Sequence, residues 1–160
     1  SCFIPRWNSK STANGAARRC IGRCAKARCS LNPRREEAEQ LLAAAQRDRT
    51  GFHILLRDPE SPVEIVLFHA QQAAEKLIKA VFSLNGVTYR RTHDLAELNE
   101  LAARNGIAVP IDRELLVRLG PYGVEFRYLG VKAPKVSLQE AQTAVETLLT
   151  WARQHLERQQ

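Results

Sequence analysis

The stretch Val63–Asn85, VEIVLFHAQQAAEKLIKAVFSLN, constrains this chain more than any other. Its interior has no Gly or Pro and is rich in Ala, Leu, Glu, Gln and Lys, residues that lose little on entering a helix. Val66, Ala70, Ala73, Leu77, Val81 and Leu84 recur at spacings of three and four, which makes one apolar helical face. His69, Gln72, Lys76, Lys79 and Ser83 keep the same period and draw a polar line beside it. The stretch reads as the central helix of an all-helical bundle.

The flanking sequence supplies helices for it to pack against. A first helix is expected over Arg34–Arg57, with Asn32 as N-cap, Pro33 at the first position and an apolar stripe through Ala38, Leu41, Leu42, Ala45, Phe52, Leu55 and Leu56. Gly51 weakens its middle. Asp58-Pro59-Glu60-Ser61-Pro62 ends it, and Ser61 is the expected cap of the central helix, with Pro62 at its first position and Glu64 three residues after the cap. Asn85-Gly86 closes that helix. A third runs from Thr92 or Asp94 to Arg104, Asp94 with Glu97 reading as a capping box. Pro110 and Asp112 open a fourth through Leu119, which Gly120-Pro121-Tyr122-Gly123 interrupts before a helical continuation over Val124–Leu129. Gly130–Val136 reads as a loop, and Ser137 with Glu140 caps the last helix. No strand pattern and no solenoid repeat occurs. The expected fold is all-α, an antiparallel up-and-down bundle of four long helices plus one shorter helix.

Charge and cysteine divide the chain in two. Residues 1–35 hold nine Lys or Arg and no acid, whereas residues 36–160 hold fifteen against seventeen acids, a balance of −2. The overall +7 is therefore a property of the leader and says nothing of the domain's own partner. Residues 1–34 are expected to be a basic, Cys-containing leader, disordered or foreign to the functional protein, and residues 35–160 the helical domain. Cys2, Cys20, Cys24 and Cys29 all lie in the leader; three clustered thiols without a nearby His fit structural zinc poorly. A cysteine-free domain suits a reducing cytoplasm. No run nears the roughly 18 apolar residues of a membrane span, and no Gly-rich phosphate loop or His-x-x-x-His pair calls for a cofactor or metal.

Two segments in register carry a resemblance. FHAQQAAEKLIKAVF followed by Gly86 and Thr92-His93-Asp94-Leu95, and Pro121-Tyr122-Gly123-Val124-Glu125-Phe126-Arg127-Tyr128 followed by a Pro-containing loop and a Glu-Ala helix, are similar to the helices of HEPN domains (higher eukaryotes and prokaryotes nucleotide-binding). The resemblance spans about residues 36–158. It implies a four- or five-helix bundle that forms a homodimer, a neighbouring small nucleotidyltransferase as partner in a toxin–antitoxin-like module, and a nucleotide or RNA ligand. Many members are metal-independent endoribonucleases using Arg-x4-6-His. Here Arg127 is followed by Tyr128, Leu129 and Gly130, with no His before His155. Arg47-x5-His53 matches by count only: six residues along a helix place the two side chains about 120° apart.

The candidate nucleotide or RNA contacts are Arg127, Tyr128, Tyr122, Glu125, His93 and Arg91, with Arg127, His69 and His93 as candidate catalytic groups. Arg offers a planar fork for phosphate and Tyr a face for stacking a base; an ion pair between Arg127 and an acid across the bundle is the structural alternative. His93-Asp94 at a helix start, with Arg90 and Arg91 upstream, suits either an anion or simple capping by Asp94. His69 with Gln71, Gln72, Glu75 and Lys76 suits a polar pocket inside the bundle and acid–base chemistry near neutral pH; the alternative is a solvated face with the i,i+4 pairs Gln71–Glu75 and Gln72–Lys76, and a dimer seam or a buried hydrogen bond also accommodates His69. The functional readings are a non-catalytic module that binds a nucleotide, RNA or a nucleotidyltransferase partner, an endoribonuclease with an atypical site, and a purely structural dimerising bundle.

Overall fold

A computed structural model describes residues 32–124 and 135–158. They form α1 (Pro33–Leu56), α2 (Val63–Asn85), α3 (Leu95–Arg104), α4 (Arg113–Leu119), a 3₁₀ turn (Gly120–Gly123) and α5 (Leu138–Glu157). The fold is all-helical, with no strand among the described residues. Where four long helices are expected, three of the helices among the described residues are long, and α3 and α4 have 10 and 7 residues. Asn105 caps α3, with Gly106 at φ 70° just beyond, and Pro121 diverts the chain into the 3₁₀ turn. The expected helix over Val124–Leu129 falls almost wholly outside the described residues, as does the leader.

Local chemistry sets the boundaries. Asn32 accepts from the Arg34 amide with Pro33 at the first position of α1. Asp94 caps α3, accepting from the amides of Ala96 and Glu97. Gly86 adopts φ 67° at the end of α2. Ser61 does not cap α2, contrary to the sequence reading: its hydroxyl donates to Asp58, and Pro62 occupies the N-cap without a side-chain bond. Ser137 and Glu140 complete a capping box on α5. Hydrogen bonds from Arg118 and Ser137 hold the Glu140 carboxyl down from its ordinary 4.5 to about 2. A depressed carboxyl stabilises above its unfolded value and ceases to as pH falls through the folded one. The cap is therefore expected to persist through pH 4.5 and open only towards pH 2, which the Ser137 and Glu140 amide resonances would report by shifting together in that lower window.

α2 is the axis of the packing. Its Val66, Leu67, Ala70, Ala73, Ala74, Leu77, Ile78, Val81 and Phe82 are buried and form one core with Phe52 of α1, Leu95 and Leu98 of α3, Leu116 and Leu119 of α4, and Val145 and Leu148 of α5. Burying each large side chain stabilises by roughly 1.5–3 kcal/mol. α1 and α2 run antiparallel: Ser83 donates to the Arg34 carbonyl at one end, and Gly51 faces His69 towards the other. Gly51 does not break α1, and a Cβ there would lie 3.2 Å from His69 Nδ1, so its absence admits the imidazole between the two helices. α5 is antiparallel to α1, since Leu156 packs beside Ala38 while Glu146 meets Arg49 and His53. Burial raises the Glu146 carboxyl, but hydrogen bonds from Arg49 and His53 outweigh it and leave the carboxyl below the usual range. No described helix is long and apolar enough to cross a membrane.

Candidate functional site

The polar line of α2 separates into two flanks once the chain folds. His69 and Lys76 face α1, where Lys76 Nζ sits 2.8 Å and His69 Nδ1 3.6 Å from the Asp48 carboxylate. Gln71, Glu75 and Lys79, at i,i+4 spacing, face residues 89–94 and the 3₁₀ turn. The pairs Gln71–Glu75 and Gln72–Lys76 both form. Gln71 and Glu75 are not on a solvated face, however; their exposures are 0% and 4%. Residues 89–94 lie over them, a contact made across the sequence that helical period cannot report.

Glu75 is the hub of this buried network. Its Oε1 accepts from Lys79 Nζ at 2.7 Å and its Oε2 from the Gln71 amide at 3.1 Å. His93 Nδ1 lies 3.2 Å from both oxygens. Lys79 also donates to the Thr92 carbonyl at 2.7 Å, and Gln71 to the His93 carbonyl at 3.0 Å. Tyr89 lies beneath the Lys79 ammonium, 5.4 Å from ring centroid to nitrogen; burial, with Glu37 and Glu75 nearby, raises its phenol.

The 3₁₀ turn closes the network from the other side. A Cβ on Gly123 would sit 2.5–2.6 Å from the Gln71 side-chain amide, so only glycine admits this approach. Gly123→Ala is expected to cost about 1–3 kcal/mol and to displace Gln71 from the His93 carbonyl. A urea midpoint, and faster exchange of the Gln71 side-chain amide protons, would show it. The segments that carried the family resemblance, α2, Thr92–Leu95 and Pro121–Gly123, thus meet at one place.

Over this junction lies an open cleft of about 490 Å³ lined by Arg91, Thr92, His93, Asp94, Ala96, Val117, Gly120, Pro121 and Val124. The His93 side chain is 60% exposed. Arg91 is exposed and has no ion pair among the described residues, whereas Arg90 is tied to Glu97 by bonds of 2.6 and 2.7 Å. That pairing raises the Arg90 guanidinium and lowers the Glu97 carboxyl. Asp94 fills the amino end of α3 with its own carboxylate, so capping, and not an anion, occupies those amides.

Of the sequence candidates, the structure brings His93 and Arg91 together in this cleft. His69 does not line it. Tyr122 is 5% exposed and belongs to the core, where burial and Glu64 raise its phenol. Glu125, Arg127 and Tyr128 lie outside the described residues. Arg47 and His53 do not form a site: Arg47 is exposed and His53 binds Glu146. The sequence offers Gln71 and Glu75 as members of a polar pocket with His69, but they pair with Lys79 and His93 instead; the available signal was the row Gln71-Glu75-Lys79 running between Ala70, Ala74 and Ile78. No group of three potential metal ligands occurs among the described residues.

A family model described as HEPN domain matches residues 34–155. No curated protein and no solved structure matches significantly.

Proposed function

The chain belongs to the HEPN domain family, and from that premise we propose that it binds nucleotide or RNA in the cleft over α2, with Arg91 and His93 as ligand contacts. The observation that supports this reading is the exposed His93 ring, anchored through Nδ1 on the buried Glu75, in one cleft with the Arg91 guanidinium, which has no ion pair among the described residues. Arg91 supplies a planar charged donor for phosphate. The apolar wall of Val117, Pro121 and Val124 offers a surface for a base or sugar. Arg127, Tyr128 and Glu125 are proposed as further contacts from the sequence alone.

The test is fluorescence anisotropy of the 160-residue chain with labelled single-stranded RNA and with a labelled adenine nucleotide. Arg91→Ala is expected to weaken binding about tenfold or more, the equivalent of one charge-assisted hydrogen bond, and to flatten the salt dependence by about one counterion. His93→Ala is expected to weaken it about fivefold. Both side chains are exposed, so thermal midpoints are expected to stay in place. Absence of binding by the unaltered chain to both ligands overturns the reading.

One observation favours a second reading, an endoribonuclease. An exposed imidazole backed by a buried carboxylate suits removal of a ribose 2′-hydroxyl proton as that oxygen attacks the adjacent phosphorus, breaking the bond to the 5′-oxygen of the next nucleotide, which leaves as a hydroxyl with a proton from water and a 2′,3′-cyclic phosphate behind it. Cleavage of mixed RNA in the presence of a chelator, lost in His93→Ala, supports it; intact RNA at every protein concentration rejects it. Family membership also supports three finer proposals: a homodimer, a small nucleotidyltransferase partner in a toxin–antitoxin-like pair, and a cytoplasmic setting. Co-purification from the native host tests the partner.

A further inference from the structure

We propose that Glu75 is a positioning residue for His93: it takes the Nδ1 hydrogen and so presents the Nε2 lone pair to the cleft as an acceptor for a ligand hydroxyl. The argument begins with what the Glu75–His93 contact does not do. Residues 92 and 93 are already fixed to α2 through their backbone, by Lys79 on the Thr92 carbonyl and Gln71 on the His93 carbonyl. The imidazole is 60% exposed, so its own packing adds little. What the contact to Glu75 supplies is the orientation and the tautomer of the ring.

The chemistry fixes which tautomer. Lys79 and Gln71 both donate to the Glu75 carboxylate, and a carboxylate can only accept. The ring nitrogen facing it, 3.2 Å from each oxygen, therefore carries the hydrogen. In the neutral ring Nε2 is then an acceptor, and it has no partner among the described residues. Such an atom accepts from a donor such as a ribose 2′-hydroxyl and gains nothing from a bare phosphate oxygen. The 2′-hydroxyl is the group by which a protein distinguishes RNA from DNA. The ligand preference rests on the binding reading above; the tautomer does not.

The experiment has two arms. In the unaltered 160-residue chain, long-range ¹H–¹⁵N correlation of the His93 ring, followed upward in pH until the ring is neutral, is expected to show Nδ1 protonated and Nε2 bare. The reverse pattern, or an even mixture, overturns the proposal whether or not any ligand binds. In the second arm, matched ribo- and deoxyribo-oligonucleotides are titrated into the unaltered chain, Glu75→Gln and His93→Ala. The unaltered chain is expected to prefer the ribo form about fivefold, one neutral hydrogen bond, and His93→Ala to lose that preference. Glu75→Gln keeps the size of the side chain but no longer forces one tautomer, so it is expected to reduce the preference while retaining the Arg91-dependent part of the affinity. If Glu75→Gln fails to fold, His93→Ala still decides the ligand arm. An unaltered ribo preference in His93→Ala overturns it there. Failure of the unaltered chain to bind either oligonucleotide sinks the binding reading, while the tautomer measurement still judges the role of Glu75.

Discussion

Glu75→Ala is expected to destabilise the domain by about 3–5 kcal/mol, the cost of leaving one partner of a buried ion pair unmatched. The carboxylate is 6% and the Lys79 side chain 11% exposed. Without the carboxylate, the Lys79 ammonium keeps only the Thr92 carbonyl and the face of Tyr89, and Gln71 loses one acceptor. The sign reverses in part when both charges go. The double variant Glu75→Leu, Lys79→Met replaces charge with apolar volume, and such replacements are often neutral or stabilising. It should recover at least half of the loss in urea unfolding. A loss under about 1 kcal/mol for Glu75→Ala would mean that water reaches the pair and that the 89–94 segment does not seal it.

Phe52→Ala is expected to cost a similar amount, about 3–5 kcal/mol, for a different reason. Phe52 is fully buried on α1, in the core shared with α2, and sits edge-on to His53 at 5.4 Å between centroids. Truncation removes a large apolar surface and leaves a cavity that the rigid α1–α2 contact cannot collapse. The two variants differ at the cleft. Phe52 lies on α1 and does not line the cleft, so the two sites should act additively, and the folded fraction should bind RNA within about twofold of the unaltered chain. Glu75→Ala should lose both stability and ribo preference. Denaturant midpoints paired with anisotropy titrations separate the two effects.

Most of the helical framework was legible because local chemistry and period set it. The Val63–Asn85 run, the Asp94 and Ser137 caps and Gly86 all rest on contacts within a few residues. Ser61 was misread because its hydroxyl has a competing acceptor in Asp58, again local but indistinguishable by spacing. The site was less legible for a physical reason. Gln71 and Glu75 read equally as members of an internal polar pocket or as exposed i,i+4 partners, and the fold of residues 89–94 and Gly123 over them is what buries the pair. Likewise Tyr122 carries the same letters whether it faces solvent or core; its burial follows from where the 3₁₀ turn meets α2. His93 and Arg91 were found as candidates, but the carboxylate behind the ring comes from 18 residues away in sequence.

The most direct test of the account is amide chemical-shift mapping of the ¹⁵N-labelled 160-residue chain during titration with a single-stranded ribo-oligonucleotide. Perturbations are expected to concentrate at Arg91–Ala96 and Val117–Val124 and to reach the Gln71 side-chain amide behind them. Shifts confined to the Arg49, His53 and Arg57 face of α1, or an unchanged spectrum at saturating RNA, would contradict it.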